Sequence, residues 1–353
     1  MFAFQLSEAL ANRGHDVCLV SVTEPDPRSP LFERLKTAPF EFISLDKRSG
    51  NGVDLRIPFR ILGRTLAWKP EVIHTHLRAL AYSLFSTPVA GAKFHTVHSL
   101  AEKESSSRTR VLYGHLFSLG WNPVAISTAV AESIRQVYKL NPPQVDNGVI
   151  ELASSPREYF RNEIGATKQD RIICHVGRLT DTKNQLGLLK AFLQLRPLAQ
   201  DLRLVLVGND PAIGEPYKRM LQTEIAALAP SLRDRIHLLD VRCDIGNILG
   251  ASDVFVLCSR YEGLPLSLLE AMSLGMKCVC TRVGGIPDAI DESSGWLVAP
   301  DDEAALAAGL TEALESAGNG RGAVARAVFE SRFSMEKCAE AYEALYSQQL
   351  GVS

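Results

Sequence analysis

The chain lacks the cysteine spacings that organise metal or redox centres. Its seven cysteines contain no Cys-x-x-Cys and no Cys-x-x-His pair. A zinc ribbon, a redox dithiol and a closed disulfide framework are therefore not expected. Cys278 and Cys280 lie two apart in an apolar stretch, which puts them on one face of a strand with Val279 on the other. Buried, reduced thiols in a cytoplasmic protein are the expectation. No apolar run reaches the length that spans a bilayer. The first residues, MFAFQLSEALANRGHD, carry Glu8 where a secretion signal needs an apolar core, so no signal peptide is expected. A basic stripe interleaved with aromatics is also missing, which argues against nucleic acid as a partner. No segment is low in complexity, and no repeat shows at the level of residues.

What is present fits an ordinary globular protein, 46% apolar and 22% charged over 353 residues, a length that predicts two domains. The formal charge of −2 hides a mild asymmetry. Residues 1–165 hold 19 Lys/Arg against 16 Asp/Glu, and the remainder 19 against 24. A slightly basic first half is compatible with an anionic surface. Strand-like and helix-like segments alternate throughout. Strands are expected at Asp16–Val22, Glu41–Leu45, Val72–His76, Lys93–His98 and Pro123–Ile126, with a short piece near Val145. In the second half they are expected at Ile172–Val176, Leu202–Val207, Ile236–Leu238, Val254–Leu257, Lys277–Thr281 and Trp296–Val298. Helical periodicity fills the intervals, including Arg56–Trp68, Thr128–Tyr138 with Ser127 as N-cap, and Leu266–Ser273. This alternation predicts an α/β protein of parallel strands with crossover helices. The polar segment Glu151–Asp170 reads as a junction, and 334–349 as an amphipathic helix that packs elsewhere. A doubly wound domain opens on an apolar strand and a Gly-rich turn. Here a helix pattern comes first, so the first domain is expected to lack its N-terminal strand, through an upstream start or a truncated copy.

Chemistry concentrates in YEGLPLSLLEAM, Tyr261 to Met272. Glu262 falls in a strand-to-helix loop and Glu270 seven residues further inside the helix, at the strand edge where open α/β sheets bind ligands. Pro265 suits the helix start, and the helix N-terminus offers N–H groups to an anion. Two carboxylates there suit the hydroxyl groups of a polar, phosphate-bearing ligand. They also suit acid/base hydrolysis of a glycoside, which spacing does not exclude. Val176-Gly177-Arg178-Leu179 followed by Lys183 places two cations at another strand's carboxyl edge, a forked donor and a point charge suited to a diphosphate leaving group. Gly284-Gly285-Ile286-Pro287 reads as a tight turn into a helix, either lining a phosphate pocket or serving as a plain loop. His74, His76, His95 and His98 sit in or after two strands. A strand-end histidine can hydrogen-bond a hydroxyl or stabilise charge, or can be structural. No carboxylate cluster completes a metal site around His74 and His76, so no metal is expected.

These residues, in the order VGRLTDTKNQ (176–185), LVLVGND (204–210), SDVFVLCSRYEGLPLSLLEAMSLGMKCVCTRVGGIPDAI (252–290) and GWLVAPDD (295–302), resemble the retaining glycosyltransferases of family 4. In the first half RGHDVCLVS (13–21), EVIHTHL (71–77), TVHS (96–99), VAIST (124–128) and DNGVI (146–150) resemble that family's landmarks more loosely. The resemblance implies a GT-B fold, two Rossmann-like doubly wound domains facing a cleft: an acceptor-side domain over 1–160, a nucleotide-sugar domain over 161–330, and a terminal helix over 331–353 returning to the first. It implies that Glu262 faces the donor sugar, with Gly263 and Leu264 beside it, and that Glu270 faces the nucleotide ribose. Arg178 and Lys183 would bind the donor diphosphate, Gly284 and Gly285 would turn near the donor, and His98 would lie beside the transferred sugar. The implied reaction moves a sugar from a nucleotide-sugar donor to a glycan or lipid-linked acceptor in cell-surface polysaccharide or glycolipid synthesis, with no cofactor and no metal. A nucleotide-sugar epimerase of the same fold and a non-catalytic remnant are the alternatives. Arg56, Arg60 and Arg64 recur every four residues among Leu55, Phe59 and Leu62. That stripe is either a solvated face or a peripheral contact with anionic lipid at the inner membrane face.

Overall fold

The computed structural model describes residues 1–25, 30–47, 54–89, 91–104, 106–195 and 201–352. The chain divides into two compact units, Met1–Val149 with Met335–Ser353, and Ile150–Ser334. The strands are β1 (Cys18–Ser21), β2 (Glu41–Ser44), β3 (Val72–His76), β4 (Ala92–Val97), β5 (Asn122–Ala125), β6 (Arg171–Val176), β7 (Leu202–Val207), β8 (Ile236–Leu239), β9 (Val254–Leu257), β10 (Lys277–Thr281) and β11 (Trp296–Val298). Every pairing between them is parallel. Parallel neighbours require crossovers, and the intervening helices supply them.

The second unit holds one six-stranded sheet in the order β11-β10-β9-β6-β7-β8. The strand order reverses at β6 and β9, so the loops leaving those two strands diverge and open a crevice at the carboxyl edge. All four residues of β9 and five of the six in β7 are buried, as expected of parallel strands covered on both faces. Leu188, Phe192, Leu204, Leu206, Val256 and Leu310 belong to one buried cluster that joins the sheet to its helices. The segment Glu151–Asp170 belongs to this unit through charge. Arg161 donates to the carbonyls of Ala251, Thr167 and Asp170 at 3.1, 2.8 and 2.8 Å and to Asp253 Oδ2 at 2.9 Å. Asp253 also accepts from Arg157 at 2.6 Å and from the backbone N–H of Ile172 at 2.8 Å. One carboxylate thus fastens the short helix Glu158–Glu163 to the start of the central strand.

The first unit contains two separate sheets among the described residues, β1-β2 and β3-β4-β5. β4 is buried at all six positions. Leu80, Tyr113, Leu116, Phe117 and Trp121 form a core against it. Ser127 caps the helix Thr128–Tyr138 by accepting the Val130 N–H at 3.3 Å. The expected piece of strand near Val145 reduces to a single bridge between Ala125 and Gln144. Pro142 and Pro143 carry no N–H, so the ladder has too few donors to extend. The last helix, Met335–Leu350, packs within this unit. The hydroxyl of Tyr342, fully buried, lies 2.7 Å from Thr96 Oγ1 in β4, and Glu343 accepts from Arg13 Nε at 2.7 Å.

Arg161 is almost fully buried, and although Arg157 also reaches Asp253 and Ala251 O at 2.6 and 3.2 Å, Arg161 is the cation that donates to Thr167 O and Asp170 O among the described residues. Replacing Arg161 by alanine leaves those two carbonyls without that charged donor and Asp253 with one cation fewer, and should cost the second unit about 3 kcal/mol. Urea denaturation of Arg161→Ala should show this as a lower midpoint for that unit's transition, with the first unit's transition unmoved.

Candidate functional site

β6 and β9 are hydrogen-bonded neighbours, so the loops that leave their carboxyl ends meet. Arg260 N–H donates to Thr182 O at 2.8 Å and Thr182 Oγ1 donates to the Tyr261 hydroxyl at 3.2 Å. Within this join, Lys183 Nζ forms an ion pair with Glu262 Oε1, and both side chains are nearly buried. The same carboxylate oxygen accepts from Ser259 Oγ at 2.5 Å, and Ser259 is itself fully buried. Glu262 is thereby fixed through Oε1, while Oε2 has no partner among the described residues and stays open to a donor. Arg178, at the carboxyl end of β6, is exposed, and its guanidinium has no hydrogen bond or ion pair among the described residues. A free fork beside a fixed ammonium is a receptive arrangement for two phosphate groups.

The third loop closes over the second by backbone contact. Gly284 has φ +53°, and a Cβ there would lie 1.8 Å from Glu262 O. Gly285 N–H donates to Gly263 O at 2.7 Å. Gly284 therefore serves close approach as well as turn geometry, since a side chain there would force the two loops apart. A similar approach occurs at Gly208, whose missing Cβ would meet Gly177 O at 2.0 Å. Leu264 is buried beside the start of the helix Leu266–Ser273, for which Pro265 is the N-cap. Glu270 lies in that helix, half-buried, and its carboxyl makes no hydrogen bond or ion pair among the described residues. Burial pushes its pKa up to about 7, because desolvation penalises the charged form. The structure thus brings Lys183, Glu262, Gly263, Gly284 and Gly285 into contact, with Arg178 on the same strand edge and Glu270 on the helix that follows.

Several residues that the sequence reading passed over complete the site. His175 is fully buried in β6, with Nδ1 3.0 Å from Val256 O and Nε2 3.0 Å from Gln185 Nε2. The ring is neutral, donating at Nδ1 and accepting at Nε2, and burial lowers its pKa to about 4. Gln185 also donates to Arg178 O at 2.9 Å, so His175 and Gln185 together hold the backbone of the basic loop. Arg260 donates to Asp301 at 2.8 Å and to Asp181 O at 2.8 Å, tying the loops after β6, β9 and β11. Ser259 and Arg260 stand directly before Tyr261 and Glu262. Ser259 bonds Glu262 three residues on, whereas the partners of Arg260 are 41 and 79 residues distant, where no local spacing signals them.

In the first unit, His98 follows β4, and its Nε2 lies 3.0 Å from His76 Nδ1. His74 lies beside this pair, 2.6 Å from the Tyr346 hydroxyl and 2.7 Å from Thr96 Oγ1. Burial lowers the pKa of both His74 and His98 to about 3, so the cluster is neutral at physiological pH. His74 is fully engaged within the fold. His95, fully buried in β4, has Nδ1 3.0 Å from Thr75 Oγ1.

Comparison with known proteins matches this architecture. A model described as Glycosyl transferases group 1 covers residues 156–327, and one described as Glycosyltransferase Family 4 covers residues 1–149. The chain belongs to this glycosyltransferase family, with the GT-B fold of two Rossmann-like domains. It is 28% identical over 243 residues to the N-acetyl-alpha-D-glucosaminyl L-malate synthase of Bacillus anthracis, covering 66% of this chain and 62% of that protein. It is 29% identical over 255 residues to the UDP-Gal:alpha-D-GlcNAc-diphosphoundecaprenol alpha-1,3-galactosyltransferase of Escherichia coli, covering 66% and 64%. The chain thus spans less than two thirds of the length of these two relatives. Among solved structures, Anabaena HepE in complex with UDP and glucose superposes with a TM-score of 0.83 at 19% identity, over 98% of this chain and 94% of that one. A glycosyltransferase of Rickettsia africae ESF-5 gives 0.82 at 21%, over 99% and 94%.

Substituting Gly284 by alanine drives a methyl group into Glu262 O and must separate the two loops. Gly284→Ala should leave the second unit folded by circular dichroism but lower its urea midpoint, a loss of about 1–3 kcal/mol, the scale of an overpacked contact that forces backbone to shift.

Proposed function

We propose that this chain is a retaining glycosyltransferase that moves a sugar from a nucleotide-sugar donor to a hydroxyl of a glycan or lipid-linked acceptor, in cell-surface polysaccharide or glycolipid synthesis. The observation that carries the reading is the Lys183–Glu262 pair at the switch point of the second unit's sheet, with the unpaired Arg178 on the same edge. In this reading Arg178 and Lys183 neutralise the donor diphosphate as its charge grows on bond cleavage. A divalent cation is then not needed for that task. Glu262 uses its open oxygen to accept a hydroxyl of the donor sugar, and Glu270 accepts from the ribose hydroxyls. The departing phosphate takes the acceptor proton on the face it leaves, which retains configuration. His98 is assigned to the transferred sugar, where a neutral imidazole can donate or accept without adding charge. Support also comes from a relative named as a galactosyltransferase acting on a GlcNAc-diphosphoundecaprenol, from another named as an N-acetylglucosaminyl malate synthase, and from a fold neighbour bound to UDP.

The test is turnover of UDP- and GDP-sugars with lipid-linked and glycan acceptors, in the presence of EDTA. Arg178→Ala and Glu270→Ala should each lower turnover at least ~10²-fold, and EDTA should leave the parent rate unchanged. Donor binding should strengthen as pH rises through about 7, where the Glu270 carboxylate forms, and Glu270→Gln should flatten that rise. Near-normal turnover in a folded Glu270→Ala, or an epimerised nucleotide sugar formed without acceptor, would contradict the reading.

For the acceptor side we propose a peripheral contact of the helix Arg56–Trp68 with anionic lipid. No helix among the described residues is long and apolar enough to cross a membrane. Leu55, Phe59 and Leu66 are 73%, 63% and 55% exposed beside the arginine stripe. Arg56 is already paired with Asp54 at 2.6 Å, and Arg60 donates to Leu45 O at 2.6 Å. Asp54 offsets the charge of Arg56, while a carbonyl acceptor leaves Arg60 charged, so Arg60 and Arg64 supply most of the stripe's free charge. In sedimentation with phosphatidylglycerol-containing vesicles, the triple Arg→Ala variant should bind about thirtyfold more weakly than the parent, near 1 kcal/mol for each of the two free charges. Equal sedimentation of the two would remove the lipid contact.

A further inference from the structure

We propose that Glu262 sets the second unit's crevice against its own product. Its carboxylate favours a nucleoside diphosphate that carries a sugar over one that has lost it. The inference rests on the donor-site reading above and adds to it a selectivity that donor binding alone does not require. Two cations without a carboxylate would hold a diphosphate more tightly, and would hold the more highly charged species tightest. Yet Glu262 is bonded directly to one of those cations, and Lys183 is its ion-pair partner among the described residues. Its other contact is neutral, the Ser259 hydroxyl. The carboxylate has little freedom to retreat. Ser259 is fully buried, and the backbone carbonyl of Glu262 is packed against Gly284, where a Cβ would lie 1.8 Å away.

The geometry of the ammonium gives the repulsion its scale. Lys183 Nζ has three N–H donors at tetrahedral spacing, and Glu262 Oε1 takes one. A phosphate oxygen on another, at an N···O distance of about 2.8 Å, stands about 4.6 Å from that carboxylate oxygen. Like charges so placed in a partly desolvated crevice repel appreciably. Donor and product differ here in two ways. In a nucleotide sugar the outer phosphate is a diester with a single charge. Transfer breaks the bond between the sugar carbon and the phosphate oxygen, and the electron pair stays on that oxygen. Once the proton taken from the acceptor is shed, the terminal phosphate carries about 1.5 to 2 negative charges at pH 7. The product also lacks the sugar hydroxyl that would donate to Oε2, the oxygen that Lys183 and Ser259 leave open. Glu262 therefore offers the donor a bond and the product only repulsion. Arg178 and Lys183 pull harder on the product, and Glu262 opposes that bias from within the same contact. Weakened product binding appears mainly as faster dissociation, the step that limits turnover in many enzymes.

Calorimetry on the full chain compares UDP with UDP-glucose and GDP with GDP-mannose, following the pair that the parent binds more tightly. Glu262→Gln keeps the shape of the side chain and removes its charge. It should tighten the nucleoside diphosphate at least ~10-fold and leave the nucleotide sugar no tighter than in the parent. Glu262→Ala, which removes the whole carboxyl, should shift the two ligands in the same directions, so the comparison survives if one variant does not fold. Arg178→Ala is measured alongside and should weaken both ligands. Unchanged or weaker diphosphate binding in a folded Glu262 variant, with Arg178→Ala still weakening both ligands, overturns this proposal and leaves the donor site standing. Equal tightening of diphosphate and nucleotide sugar does the same, since the charge then does not discriminate. A parent that binds neither diphosphate, or an Arg178→Ala variant that binds as the parent does, removes the donor-site reading and this proposal with it.

Discussion

The contact between Lys183 and Glu262 joins two loops that are 79 residues apart in sequence, and the rest of the crevice is arranged around it. A nearly buried ion pair costs desolvation on both sides, and the mutual attraction offsets this only with good geometry and further hydrogen bonds. Ser259 supplies one of those bonds from a fully buried position. The pair is poorly explained as a device for stability alone, since an apolar pair of similar volume would serve as well. Its position at the switch point, with one carboxylate oxygen left open, is better explained by chemistry: the charges are held where a polar ligand can use them, at a cost the surrounding sheet absorbs.

The backbone contacts around the pair follow the same logic. Glycines at 284 and 285 let the loop after β10 touch the loop after β9, and His175 with Gln185 holds the basic loop from beneath through Arg178 O. Each device fixes backbone, so Arg178 and Glu270 are the side chains left to respond to a ligand. Preorganisation of this kind puts the reorganisation cost into folding instead of into catalysis.

Much of this was legible in the sequence because parallel strands covered on both faces are near-continuous apolar runs. β7, β9, β10 and β11 match their expected bounds residue for residue. So do the helices Arg56–Trp68, Thr128–Tyr138 and Leu266–Ser273. The helix Gly320–Val328 was hidden by its two glycines, which depress helix propensity until tertiary packing overrides it. The helix Glu158–Glu163 was masked by polar residues that, in the fold, are satisfied by Asp253 far along the chain. In the site, the Glu262–Glu270 stretch announced itself because its residues are local. Arg260 and His175 did not, because their roles depend on Asp301, Asp181 and Val256, and only the sheet order brings those partners close; Ser259 is local to Glu262, but a serine three residues before a glutamate is too common a pattern to mark a site. The histidines show the same limit: three lie together beside Tyr342 and Tyr346 from the last helix, a grouping that no spacing in the sequence encodes.

The central claim is that the crevice after β6 and β9 is a receptor for a nucleoside diphosphate. A crystal structure of the chain with UDP, or with GDP where that binds more tightly, tests it most directly. The account predicts diphosphate oxygens within hydrogen-bond distance of the Arg178 guanidinium and Lys183 Nζ, with the ribose hydroxyls on Glu270. A nucleotide seated away from these side chains, with the Lys183–Glu262 pair undisturbed and solvent-filled space beside Arg178, would contradict it.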